Sequence, residues 1–223
     1  MDIIEVINSR KSIRKFKPDP VPREVLQDIF ATAIRVPSAI NTQTWEITVI
    51  TGRPLEEIKR ENVDLLMAGV PGRPEIPEIG FSGIYAQRAK ALGKELFQLM
   101  GIARDDRTKR TEWVQRGFRY FDAPAAIILS FDRSIEEPLA LHDAGALAQT
   151  ICLTAFNYGL GTCIERQGVN FPQVLRKHAG IPETKLIVIS IAIGYPDWDF
   201  PANKLRSKRE PVDDVVTWRG FDE

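Results

Sequence analysis

Four positions near the start of the chain carry groups that can hold an anion. Arg10, Lys11, Ser12 and Arg14 fall within five residues. Guanidinium, ammonium and hydroxyl donors at this density suit a phosphate or carboxylate, because charge-assisted bonds to an anion are short and strong. A solvated basic surface is the competing reading of the same run, and Lys15 further along reads as solvated. A second group follows Pro37. Ser38, Asn41 and Gln43 lie in the loop SAINTQT. Their donors and acceptors could read the edge of a heterocycle, although plain turns favour the same residue types. Gly159-Leu160-Gly161-Thr162-Cys163 is a third candidate, and the basic pair Lys208-Arg209 a fourth.

Several chemistries are excluded. The GLG segment lacks a complete GxGxxG, since position 164 is Ile, and it follows a helix where a dinucleotide loop follows a strand. No P-loop or GxSxG elbow is present. His142 and His178 are the only histidines and have no metal-ligand spacing. Cys152 and Cys163 form no CxxC and suit a reducing compartment. Thirty basic residues balance thirty acidic ones. A nucleic-acid binder needs a positive excess, so none is expected as partner. MDIIEVINSRKS shows no signal-peptide pattern, and the longest apolar run, near 186–193, is too short to span a bilayer. The expectation is a cytoplasmic chain without a membrane partner.

The elements that must position these residues follow from periodicity. The spacing predicts helices over 2–8, 22–36, 54–67, 84–101, 104–119, 138–158 and 171–179. Strands are predicted over Trp45–Thr51, Ala125–Phe131 and Lys185–Gly194, the second read as covered on both faces. Small residues along the 138–158 helix (Ala140, Ala144, Ala148, Ala155) suggest close packing, here assigned to a dimer. The chain reads as one domain, 1–223, with a variable excursion at about 69–120. Its aromatic residues include Phe118 and Tyr120, which could stack on a planar acceptor or simply pack the excursion onto the core.

Four separated blocks, taken in order, resemble the nitroreductase family of flavoenzymes. SRKSIRKFKPDP with the following helix, and PSAINTQTW with Thr44 in place of the family's proline, resemble its N-terminal signature. NYGLGTC, VISIAIGYP and SKREPVDDVV resemble its later blocks. The resemblance implies an α+β three-layer fold, a mostly antiparallel central sheet flanked by helices, in an intertwined homodimer. It implies FMN as cofactor, NADH or NADPH as donor, and ping-pong electron transfer to a small electron-poor acceptor such as a nitroaromatic or quinone. Reductive dehalogenation, enoate reduction or a non-catalytic flavin-binding role are the alternatives. By resemblance, Arg10, Lys11, Ser12 and Arg14 would hold the phosphate and ribityl chain, with Arg209 as a second phosphate contact. Ser207 stands where many members carry lysine, leaving Arg206 or Lys208 to supply that charge. Pro37, Ser38, Ala39, Asn41 and Gln43 would approach the flavin, the first three from the partner subunit. Cys163, Ile164, Glu165 and Arg166 would lie over the ring.

Overall fold

A computed structural model describes residues 2–77 and 80–221. β2 (Ala125–Asp132) is buried along nearly its whole length, as its continuous apolar run requires. It pairs antiparallel with β1 (Trp45–Thr51) on one side and β4 (Lys185–Gly194) on the other. β3 (Gly161–Glu165) adds antiparallel to β4, giving the order β1-β2-β4-β3.

The pleat sends alternate β2 side chains to opposite faces. Ala126 and Ile128 enter one core with Ile58 of α3 (Gly52–Met67) and Val174 of α7 (Pro172–Ala179). Ala125, Ile127 and Leu129 enter the other with Ile29 of α2 (Arg23–Ala33) and Leu147 of α6 (Glu137–Asn157). The result is a helix–sheet–helix sandwich, the α+β fold expected. α1 (Ile3–Ser9) lies beside α6 and turns Ile3, Ile4 and Ile7 outward. α4 (Gly83–Leu99) and α5 (Arg107–Phe118) build the excursion, and α8 (Val212–Val215) is a single turn in the tail.

β3 was not expected. It is a five-residue edge strand beginning in the GLGTC segment read as a helix end, too short and too glycine-rich to announce itself. Gly159 does end α6, with φ +73. Gly161 is required for a different reason. A Cβ there would meet Ile13 at 2.5 Å and Pro196 at 2.7 Å, so the glycine lets the N-terminal arm lie against β3.

Three expectations are corrected. Phe118 and Tyr120 do not face an acceptor: both belong to the core between the sheet, α3 and α7. Tyr120 is fully buried and donates its hydroxyl to Gly168 O at 2.7 Å, and Phe118 lies 5.8 Å from the Phe171 ring. The small residues of α6 also turn inward, since Ala140, Ala144, Ala148 and Ala155 are all buried within the protomer. They bring α6 close to its own sheet. By length and composition α6 could cross a membrane, yet it packs here as a core helix. The third correction concerns Lys15, whose ammonium pairs with Asp122 at 3.3 Å.

Candidate functional site

The basic arm is drawn along β3. Ser12 bridges Thr162, and Ile13 N donates to Thr162 O at 2.9 Å. The apolar members of SIRKF, Ile13 and Phe16, are buried, which leaves Arg10, Lys11, Ser12 and Arg14 partly exposed. Bridges from Ser12 to Thr162 and from Phe16 to Pro196 pin this stretch, so Ile13 and Phe16 anchor it and the charged residues form its rim.

Two cavities flank the arm. One, of about 430 Å³, is lined by Ile7, Asn8, Ser9, Arg10, Lys11, Gln149, Arg206, Ser207 and Arg209. Among the described residues, four cations and no carboxylate line it. The Lys11 ammonium is held below its ordinary pKa by burial and then by repulsion from Arg206. It also sits 5.0 Å from the centre of the Trp198 ring. Cations brought together without an acid are stabilised by an anion, so the cavity is chemically matched to a phosphate dianion. The second cavity, of about 270 Å³, is mostly apolar and shares Arg10 and Lys11 with the first. Gly161, Thr162, Pro196 and Trp198 contribute to its wall.

Arg206 lines the cavity beside Ser207. Lys208 lines an adjacent cavity along α4 with Arg88 and Arg209. Arg209 donates locally to Ser207 Oγ at 2.8 Å. Arg14 lies deeper, with Nη1 donating to Ser12 O at 3.3 Å. Gln149, Trp198 and Asn203 were missed by the sequence reading, since an isolated polar or aromatic residue on an ordinary segment carries no spacing signal.

The stretch after Thr162 divides into two environments. Ile164 is 38% exposed, whereas Cys163 and Glu165 are buried. Burial pushes the Cys163 thiol up to about 12, which keeps it protonated and inert. Burial likewise pushes the Glu165 carboxyl up to about 7, opposed by hydrogen bonds from the Ser190 hydroxyl and the Gly168 and Gln167 amides. Gly168 N lies 2.9 Å from Glu165 Oε2. Ser190 Oγ lies 2.7 Å from Oε1 and 2.8 Å from the Glu165 carbonyl oxygen. One hydroxyl proton serves one of these acceptors at a time. When the carboxyl is neutral it can donate to Ser190 Oγ, freeing that hydroxyl to donate to the carbonyl. Arg166 reaches away, its Nη2 donating to Ile76 O at 2.7 Å.

The loop after Pro37 is exposed and backbone-strained. Ile40, Asn41 and Gln43 have φ of 43, 59 and 49, costly for a β-branched residue such as Ile40. Ser38 Oγ accepts from Gln43 N at 2.9 Å, and Ala39 O accepts from Thr42 Oγ1 at 2.8 Å. Thr44, at the position of the family's proline, donates to the fully buried Asp143 at 3.1 Å. Ile40 stands 97% exposed at the tip. Neither cavity beside the arm is lined by residues 37–44.

Comparison with known proteins agrees with this fold. Residues 7–195 match the family model described as Nitroreductase family. The chain is 32% identical to a nitrobenzene nitroreductase of Ectopseudomonas oleovorans, over 97% of this chain and 96% of that one. It superposes on the crystal structure of the FMN and NADPH-dependent nitroreductase NfnB of Sphigopyxis sp. strain HMH with a TM-score of 0.92. That pair is 29% identical and covers 99% and 100% of the two chains. The FMN-dependent NfnB of Mycobacterium smegmatis in complex with NADPH gives a TM-score of 0.91 at 25% identity, covering 97% of each chain. The chain belongs to the nitroreductase family.

Proposed function

We propose that this chain is an FMN-dependent oxidoreductase that draws electrons from NADPH or NADH and reduces a nitroaromatic or similarly electron-poor small molecule. The observation that carries the reading is the cavity rimmed by Arg10, Lys11, Arg206 and Arg209, with no balancing carboxylate among the described residues. Its charge fits the FMN phosphate, and the named relatives reduce nitroarenes or depend on FMN. When bound, FMN supplies the electron-carrying chemistry, and the protein binds, orients and tunes it. Arg10, Lys11, Ser12, Arg14, Arg206 and Arg209 would take the phosphate side. The backbone of Cys163–Arg166 would take the ring side, where Ile164 is open to solvent.

The working unit is a homodimer in this reading. Pro37, Ser38 and Ala39 sit on a loop away from both cavities, which suits delivery to a second copy's site, and Asn41 and Gln43 share that loop. Ile3, Ile4 and Ile7 on α1, Ile40, and Val212, Val215, Trp218 and Phe221 in the tail are all exposed. Exposed apolar side chains on α1, the loop tip and the tail suit burial against a second copy. The chain is read as one cytoplasmic domain. With Phe118 and Tyr120 in the core, acceptor choice passes to Phe81, just before α4, and Tyr85 in its first turn, both well exposed.

The test is spectroscopic. The purified protein should be yellow, bleach under NADPH or NADH without oxygen, and recover colour when a nitroarene is added. A protein that binds no flavin, or whose bound flavin neither donor reduces, contradicts the reading.

A further inference from the structure

Asn203 sits in the 3-10 turn Pro201–Lys204, fully buried. Its Oδ1 accepts from Arg14 N at 2.6 Å. Its Nδ2 donates to Lys15 O at 2.8 Å and to Asp197 O at 2.7 Å. Both amide protons and the amide oxygen are thus spent on backbone, two of the three bonds going to the basic arm. Arg116 Nη2 in turn donates to the Arg14 carbonyl oxygen at 2.8 Å. Both polar backbone groups of Arg14 are therefore held by buried or largely buried side chains from other elements.

The arm and the segment beginning at Arg206 are two basic segments that line one cavity. Like charges repel, and Lys11 already shows the effect of Arg206. Before an anion arrives, something neutral must hold the two segments together, and Asn203 ties the arm down three residues ahead of Arg206. We propose that Asn203 is a positioning residue that pre-organises the phosphate cradle, assisted by Arg116, so that the arm's cations do not have to be gathered by the ligand itself.

The inference rests on the FMN reading and is tested by separating phosphate from ring. Apo-protein is titrated with FMN and with riboflavin, which lacks the phosphate, at several ionic strengths. Asn203→Ala should weaken FMN roughly 10- to 100-fold, the worth of a charge-assisted contact or more. Riboflavin affinity should change by no more than about twofold, and the salt dependence of FMN binding should become shallower. Arg116→Lys keeps a charge for Asp122 but gives up the planar fork that reaches Arg14 O. It should show the same FMN-selective loss, and it decides the matter if Asn203→Ala does not fold. Unchanged FMN affinity, or equal weakening of both flavins, overturns the proposal. A wild-type protein that binds riboflavin as tightly as FMN removes the phosphate reading itself, and this inference with it.

Discussion

Tyr120 donates its hydroxyl to the carbonyl oxygen of Gly168 at 2.7 Å, from a turn whose three residues Tyr120, Phe121 and Asp122 all have φ between 53 and 61. Three consecutive left-handed non-glycine residues persist only where the surroundings over-determine them. Here Asp122 takes Arg119 at 2.9 Å, and Lys15 and Arg116 each at 3.3 Å. Lys59 Nζ donates to Ala123 O at 2.8 Å. Gly168 must be glycine, since a Cβ would meet Tyr120 at 2.3 Å and Glu165 Oε1 at 2.5 Å.

Tyr120→Phe should therefore act on stability and not on acceptor choice. It leaves a buried carbonyl without its donor, worth about 1–3 kcal/mol. Urea unfolding of the variant measures the loss. A change in the ranking of nitroarenes with unchanged stability would return Tyr120 to the acceptor site.

Tyr85→Ala should do the reverse. The ring is exposed, 5.8 Å from the Arg88 guanidinium, and Arg88 pairs with Glu210 of the tail at 2.9 Å. Specificity ratios among nitroarenes and quinones should shift severalfold or more, with FMN affinity unaltered. Identical ratios in variant and wild type would reject the assignment.

Glu165 gives stability a pH dependence. Folded, it titrates near 7, above its ordinary 4.5. Between these values the folded state holds a proton that the unfolded chain has released, so stability is fully present below the lower value and falls as pH rises through the upper one. The loss is on the order of 3 kcal/mol at most. Glu165→Gln should flatten this part of the profile between about pH 5 and pH 8. Parallel profiles for the two proteins would show that Glu165 is ionised throughout.

The uncovered apolar surface predicts association. Light scattering should give twice the chain mass, and removing residues 211–223, with exposed Val212, Val215, Trp218 and Phe221, should weaken the dimer. A monomer that retains FMN would exclude a site shared between subunits.

Much of this was legible in the sequence because local periodicity and burial agreed. β1 and β4 fall on the expected residues, and β2 runs only one residue further. The basic arm was visible because its charges cluster. What escaped depends on distant partners. β3 exists because β4 and the arm supply its neighbours. Phe118 and Tyr120 looked available because aromatic type does not say which way a residue faces. Lys15 looked solvated because Asp122 lies far along the chain. Asn203 had no signal, since its role is set by the backbone that it ties together.

The central claim is that the cavity between the arm and the tail holds the FMN phosphate. The most direct measurement is FMN titration of apo-protein by fluorescence quenching, at fixed ionic strength, for wild type, Arg10→Ala, Arg209→Ala and Lys17→Ala. Lys17 is exposed and serves as the control. Each arginine variant should raise the dissociation constant roughly 10- to 150-fold, for contacts of about 1.5–3 kcal/mol. Lys17→Ala should match wild type, and the double arginine variant should purify nearly colourless. If both arginine variants bind FMN as tightly as Lys17→Ala, the phosphate lies elsewhere and the placement of the site is wrong.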